Sequence, residues 1–194
     1  MRIIAGSVRG RKLHSPKGLS FRPATGRVKE FIFSVVGSAI DGARVLDLFS
    51  GTGALGLEAL SRGAASSDFI EASAKQIDLI KRNVALCGFE KNTRIVRSDV
   101  FSFLRKMQVE GRSYDLILAD PPFRAMLRER IAKAIDSSRA LQSQGWALIE
   151  HERHDTDGES HGLILLRQRQ FGHCVVSIYG RDNEKSDSNL SRHI

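Results

Sequence analysis

Cysteine, proline and tryptophan are scarce in this chain, at two, four and one among 194 residues. Two cysteines, Cys87 and Cys174, are too few for the disulfide framework of a small secreted domain. Each lies in an apolar periodic stretch, so both read as core thiols in a reducing compartment. Four prolines and 17 glycines exclude collagenous and low-complexity classes. Long apolar runs are missing as well. The best candidate, Phe31 to Ile40, is broken by Ser34, Gly37 and Ser38, well short of the roughly 18 uninterrupted apolar residues that a membrane span requires. The opening residues Met1-Arg2-Ile3-Ile4-Ala5-Gly6 meet further basic side chains within a few positions and contain no apolar leader segment, which predicts a cytoplasmic protein.

What remains is an ordinary globular composition, 41% apolar and 27% charged. A chain of this size buries about 70% of its unfolded surface, enough for a core without disulfides or structural metal. The net charge of +8 is unevenly spread. Residues 1 to 44 hold nine basic side chains (Arg2, Arg9, Arg11, Lys12, Lys17, Arg22, Arg27, Lys29, Arg44) against Glu30 and Asp41, a net of +7, which leaves the other 150 residues almost neutral at +1. Charge this localised repels itself on folding, and it suits a polyanion such as nucleic acid better than it suits solubility. An ordinary solvated basic face is the plainer alternative, because phosphate contacts carry no sequence information.

The pattern along the chain predicts an α/β fold. Met1 to Ala5 and Lys12 to His14 are short extended segments separated by Gly6 and Gly10, a hairpin whose turn carries Arg9 and Arg11. Pro16, Gly18 and Pro23 impose an irregular stretch. From Thr25, an N-cap candidate, Val28, Phe31, Ile32, Val35, Val36 and Ala39 recur at helical spacing up to about Gly42. Strands and helices then alternate. Strands are expected at 45–49, 68–71, 93–97, 114–119 and 146–150, and helices at 54–62, 73–87, 100–107 and 124–138. That alternation predicts a mostly parallel, doubly wound sheet covered by helices. Leu163 to Gln170 and His173 to Tyr179, joined across Gly172, predict a C-terminal antiparallel hairpin at the sheet edge. The expected division is a basic N-terminal hairpin plus helix over 1–42, a catalytic domain over 43–180 and a disordered tail over 181–194.

Chemistry concentrates at the ends of the predicted strands. Gly51-Thr52-Gly53-Ala54-Leu55-Gly56 follows the first strand as Gly-x-Gly-x-x-Gly, which by itself marks either a dinucleotide site or a tight turn. Asp47, four residues before Gly51, would repel a pyrophosphate and favours a cationic ligand; S-adenosylmethionine, with an amino group, a sulfonium and no phosphate, fits. Glu71 closes the second strand, where a carboxylate can accept both ribose hydroxyls, and Asp99 after the third stands in place for an adenine amino group. The plainer readings are a turn cap for Asp47, a helix-start acid for Glu71 and an N-cap for Asp99. Asp120-Pro121-Pro122-Phe123 ends the fourth strand. Consecutive prolines have no amide hydrogens and fixed φ, so the carbonyls of this turn are held rigidly. With the Asp120 carboxylate and the Pro121 carbonyl accepting its two hydrogens, an exocyclic amine is oriented and its lone pair aimed at a methyl donor, while Phe123 offers a face for a flipped base. The plainer reading is a strand-ending turn with Phe123 in the core. His151-Glu152-Arg153-His154 with His161 lacks the i, i+4 histidine spacing of a zinc helix, so no metal is expected.

Asp47 to Gly53 resembles the first S-adenosylmethionine motif of class I methyltransferases, and Asp120 to Phe123 resembles their Asp/Asn-Pro-Pro-Tyr/Phe motif. More narrowly, Arg2-Ile3-Ile4-Ala5-Gly6, Gly10-Arg11-Lys12-Leu13, Arg22 to Glu30 and Ala54 to Ala64 resemble the RsmD family, from residue 1 to about 180. That resemblance implies a Rossmann-like fold and methylation of N2 of one guanine, guanine 966 of bacterial 16S rRNA, in the small ribosomal subunit. It implies that Asp120, Pro121, Pro122 and Phe123 hold the guanine. It implies that Asp47, Phe49, Gly51, Gly53, Glu71 and Asp99 bind S-adenosylmethionine, and that Arg2, Arg9, Arg11, Lys12, Arg22 and Arg27 contact RNA. Gly26 and Phe123 depart from the family's usual Asp and Tyr. Three other readings stay open: amino-methylation of DNA adenine or a protein glutamine, an RNA-binding module without catalysis, and an NAD-dependent oxidoreductase. With no obvious second apolar face, a monomer is the simpler expectation.

Overall fold

The computed structural model describes residues 1–16, 26–122, 127–153 and 162–181. Helix α1 (Gly26–Val36) passes through a 3-10 turn (Gly37–Ile40) into β1 (Arg44–Leu48). There follow α2 (Ala54–Ser61), β2 (Ser66–Glu71), α3 (Ala74–Cys87), β3 (Thr93–Arg97), α4 (Val100–Glu110) and β4 (Tyr114–Ala119). The last elements are α5 (Arg128–Ser138), β5 (Leu141–Glu152), β6 (Ile164–Phe171) and β7 (Cys174–Gly180). The seven strands lie in one sheet in the order β3-β2-β1-β4-β5-β7-β6. This is the mostly parallel α/β sheet with a C-terminal antiparallel hairpin that the sequence predicts. No described helix is long and apolar enough to cross a membrane.

The chain divides into two compact units, Met1–Val100 and Phe101–Ile194. In the first, β1, β2 and β3 pair in parallel, with Leu46 opposite Asp68 and Phe69 opposite Ile95. Helix α3 connects β2 to β3 and buries Ile77, Leu79, Ile80, Val84 and Cys87. Ser73 caps its start by accepting from the Gln76 amide, and Gly88, at φ +76°, ends it. All eight residues of α2 are buried. That helix can lie so close to the sheet because Gly56 has no side chain: a Cβ there would stand 2.5 Å from both Phe69 Cε1 and Ser67 Oγ.

In the second unit β4 and β5 are parallel, and β7 runs antiparallel between β5 and β6. The hairpin is thus inserted with its second strand inward. Composition explains the order, since Cys-Val-Val-Ser-Ile-Tyr-Gly is buried almost throughout, whereas Ile-Leu-Leu-Arg-Gln-Arg-Gln-Phe is largely exposed at the edge.

Several boundaries differ from expectation, β2 opening two residues early at Ser66 and α5 beginning at Arg128 rather than 124, and three more differ for plain local reasons. Helix α1 stops at Val36 because Gly37 adopts φ +52°, after which the chain tightens into the 3-10 turn. Helix α4 continues three residues past Met107, to Glu110. Strand β5 begins at Leu141, five residues early, because Leu141 pairs with Tyr114 before a register shift carries the ladder on to Leu116 and Trp146. Gln142, Ser143, Gln144 and Gly145 carry no strand signal of their own.

The N-terminal segment folds back on itself through one antiparallel bridge, Arg2 opposite Lys12. The Ile3 amide donates to the Arg11 carbonyl at 3.0 Å, and the Gly10 amide to the Ile3 carbonyl at 2.9 Å. So small a hairpin has no core of its own, and it is fastened to the buried α2. Glu58, with no exposed surface, accepts at Oε2 from the Ile4 amide (2.8 Å) and Lys29 Nζ (3.2 Å). Its Oε1 accepts from the Ala5 amide (3.0 Å) and Arg62 Nε (2.9 Å). Ser61 adds a second clasp, its hydroxyl donating to the Ala5 carbonyl at 2.6 Å and its carbonyl accepting from the Ser7 amide at 2.7 Å. A Cβ on Gly6, at φ +86°, would overlap that carbonyl.

Lys29 also donates to the Arg2 carbonyl at 2.7 Å and is 2% exposed, so one of the nine basic residues near the N-terminus is spent on the fold. Burial lowers the Lys29 pKa, with Glu58 opposing the shift. Glu58→Ala strands a buried ammonium and two backbone amides, and it is expected to cost about 3–5 kcal/mol in urea unfolding. The double change Lys29→Met/Glu58→Leu recovers only part of that loss, because the Ile4 and Ala5 amides stay unmatched.

Candidate functional site

Three carboxylates stand on successive strand ends of the first unit. Asp47 is the fourth residue of β1, Glu71 the last of β2, and Asp99 follows β3 by two residues, immediately before α4. Parallel pairing brings these ends to one edge. The Ser50 amide donates to the Ile70 carbonyl and the Ser98 amide to the Glu71 carbonyl, which keeps the neighbouring loops in register.

Between β1 and α2 the chain makes a sharp, strained turn. Phe49, Gly51 and Gly53 have φ of +56°, +56° and +75°, so the left-handed region is entered three times in five residues. Glycine takes this without cost, but for Phe49 it is an outlier of the kind that surrounding contacts must enforce. The enforcing bonds are visible: the Ser50 hydroxyl donates to the Asp47 carbonyl at 2.6 Å, and the Gly53 amide donates to the Ser50 carbonyl at 2.7 Å. Phe49 and Gly51 remain half-buried, while Asp47, Ser50, Thr52 and Gly53 are buried.

Asp47 is 1% exposed, and its Oδ2 accepts the Gly56 amide at 2.9 Å. Burial pushes its carboxyl up to about 8, against the lowering effect of the Gly56 bond, and the nearby Glu71 adds to the rise. A carboxyl raised that far favours its protonated form at neutral pH, so the electrostatic case against a pyrophosphate does not rest on Asp47 alone. Glu71 is half-buried and bridges two loops, Oε2 accepting the Gly51 amide at 3.0 Å and Oε1 the Ser73 amide at 2.9 Å. Each oxygen retains acceptor capacity for a hydroxyl. Two acids around one glycine turn make a place where an incoming positive charge is stabilised and an incoming phosphate is not. Asp99 is exposed.

In the second unit Asp120 directly follows β4 and is half-buried; Pro121 is buried and Pro122 exposed. Phe123 lies outside the described residues, as does Arg22. Arg2, Arg9, Arg11, Lys12 and Arg27 are all exposed. His154 and His161 are also outside the described residues. His151 is buried, with Nδ1 2.8 Å from the Glu152 carbonyl, which can only accept, and Nε2 2.7 Å from Ser177 Oγ. Among the described residues no group of His, Cys, Asp and Glu is arranged to hold a metal. Cys174 donates its thiol to Glu150 Oε1 at 3.0 Å, and Cys87 is buried on α3.

Two residues that hold the surroundings of this site together, Glu58 and Asn83, are not among those the sequence singles out for a role. Glu58 has one available signal, an acid at the centre of the otherwise apolar run Ala54 to Leu60. Asn83 interrupts the apolar face of α3 between Ile80 and Val84, is fully buried, and donates from Nδ2 to the Thr52 carbonyl at 2.9 Å.

A family model described as conserved hypothetical protein 95 matches residues 1–180. The chain is 38% identical over 183 residues to ribosomal RNA small subunit methyltransferase D of Escherichia coli (strain K12), covering 94% of this chain and 90% of that one. The solved structure described as "Putative methyltransferase yhhF from Escherichia coli" superposes with a TM-score of 0.83 at 35% identity, over 94% of this chain and 98% of that one. The SAM-dependent methyltransferase from Agrobacterium tumefaciens shares the fold, with a TM-score of 0.64 at 19% identity over 89% of this chain and 66% of that one.

The raised carboxyl has a thermodynamic consequence. Asp47 loses its proton near 3.8 when unfolded and near 8 when folded, so folding takes up a proton between those values. Its contribution to stability is complete below about pH 4 and is lost as pH rises through about 8. Asp47→Asn keeps an acceptor for the Gly56 amide and removes this term. Across about pH 5 to 8 the urea midpoint of the parent protein is expected to fall relative to the variant, the two becoming parallel above about pH 9.

Proposed function

The chain belongs to the RsmD family, whose model carries the description conserved hypothetical protein 95, and on that footing we propose that it is an S-adenosylmethionine-dependent rRNA methyltransferase. The finer reading is transfer to the exocyclic N2 amine of one guanine, guanine 966 of 16S rRNA, in the small ribosomal subunit. The observation that carries the reaction type is the pair of acids, Asp47 and Glu71, joined to the strained glycine turn. A ligand that brings an amino group and a sulfonium offsets the charge that Asp47 gains when it ionises beside Glu71, whereas a dinucleotide adds further negative charge.

Bound there, S-adenosylmethionine supplies an electrophilic methyl group. Asp47 and the turn Phe49, Gly51, Gly53 would hold its cationic end, Glu71 would accept from the ribose, and Asp99 would serve the adenine. Asp120 and the Pro121 carbonyl would accept the two hydrogens of the guanine amine, freeing its lone pair from the ring for the methyl donor, and Pro122 would keep the turn rigid. Phe123 stacks on the base, losing only the hydroxyl that tyrosine would bring. The amine nitrogen so oriented would take the methyl group that the cofactor supplies, and its proton would be lost during or after transfer. Holding the RNA falls to residues 1–42: the exposed Arg2, Arg9, Arg11, Lys12 and Arg27, with Arg22, contact RNA, while 43–180 perform the chemistry.

Asp120→Ala is expected to lower methyl incorporation at least about a hundredfold with cofactor affinity within about twofold, read with labelled S-adenosylmethionine and small subunits lacking the modification. Deproteinised 16S rRNA and DNA run alongside. Incorporation into DNA rather than RNA, or unchanged turnover in the variant, would defeat the proposal. Because burial raises the Asp47 carboxyl to about 8, binding of a cationic cofactor that ionises it at pH 7 is expected to release close to one proton, measured by calorimetry in buffers of different ionisation enthalpy.

A further inference from the structure

The basic hairpin and the cofactor turn are far apart in sequence, yet one side chain holds both. Asn83 Oδ1 accepts the His14 amide at 2.8 Å, and its Nδ2 donates to the His14 carbonyl at 3.0 Å and to the Thr52 carbonyl at 2.9 Å. Asn83 has no exposed surface, and both of its amide hydrogens are committed to backbone. At one end it imitates a neighbouring strand for the hairpin. At the other it fixes the middle residue of a turn whose two neighbours, Gly51 and Gly53, have no side chains to anchor them.

The connection continues outward through backbone. From His14 the chain passes to Leu13, whose amide donates to the Met1 carbonyl at 3.1 Å, then to Lys12 opposite Arg2, and to Arg11, whose carbonyl accepts from Ile3. Four of the exposed basic residues assigned to RNA sit on or beside these strands. Thr52 is 2% exposed, so its carbonyl cannot exchange Asn83 for water without opening the loop. Helix α3, capped at both ends, is a firm support for the junction.

We propose that Asn83 is a positioning residue that couples the cofactor turn to the basic hairpin, so that filling the cofactor site steadies the hairpin and RNA on the hairpin tightens the hold on cofactor. The inference rests on the assignment of the turn to S-adenosylmethionine and the hairpin to RNA. Coupling of binding must be reciprocal, so the two affinities change by the same factor.

Asn83→Asp keeps the shape and the acceptor for His14 but removes both donors. Backbone hydrogen exchange with and without S-adenosylhomocysteine tests the junction without RNA or turnover. In the parent protein the ligand is expected to slow exchange both at the turn (Gly51, Gly53) and at the hairpin amides of Ile3, Gly10 and Leu13, the latter about tenfold. In the folded variant turn protection persists and hairpin protection disappears. The ratio of S-adenosylhomocysteine Kd without and with 16S rRNA falls from about tenfold toward one, and KM for the RNA rises while kcat changes by less than about twofold. A purely structural role would lower the unfolding midpoint and leave that ratio intact. Hairpin protection that survives in Asn83→Asp overturns the inference, as does a parent protein in which the ligand protects the turn alone. A ligand that protects neither overturns the cofactor assignment and the inference with it. Asn83→Ser, which retains one donor, carries the same comparison if Asn83→Asp does not fold.

Discussion

A carboxylate shut away from water must find a donor for each of its oxygens, and Glu58 finds four. Much of the first unit follows from that requirement. Two donors are amides of the N-terminal segment, which fixes where the hairpin lies. The third is Lys29, which ties α1 to the same point, and the fourth is Arg62, whose guanidinium also lies 4.8 Å from the centre of the Phe33 ring. A short segment that buries only Ile3 and Leu13 in the core is thereby placed by polar contacts to a helix that is otherwise packed as core. An all-apolar α2 would pack as well and leave the segment loose.

The acids at the strand ends answer to a different constraint. Asp47 is 1% exposed, and burial favours its protonated form, so two like negative charges face one another across the turn only when a cation balances them. The Ser50 and Gly53 hydrogen bonds that enforce the strained Phe49, the Gly56 amide donating to Asp47 and the bridge made by Glu71 keep the turn in shape. Preorganisation of this kind shifts the cost of arranging the site from binding to folding.

Much of the architecture was legible in the sequence because it depends on local periodicity: α3 with its serine and glycine caps, β3, β4 and the glycine turn all fall where the pattern places them. The strand-end positions of Asp47, Glu71, Asp99 and Asp120 were legible for the same reason. What escaped is long-range. Lys29 counts as surface charge until Glu58, 29 residues on, is known to face it, and Asn83 looks like a blemish on an apolar face until His14, 69 residues away, is brought beside it. The early start of β5 was hidden because pairing with Tyr114 overrides the weak strand preference of Gln142 to Gly145.

The inward placement of β7 has a consequence for how this protein is made. Strand β5 is complete at Glu152, but the strand that pairs with its free side begins only at Cys174, after the segment that will become the outer edge has already been synthesised. At about 5–20 residues per second, a nascent chain carries an open, apolar β5 margin for roughly one to six seconds before β7 is complete. During that interval the margin is a template for any other extended segment in reach. The polar face of β6, with Arg167, Gln168, Arg169 and Gln170, emerges first and makes a poor occupant for the gap, so it leaves the place vacant for the strand that follows.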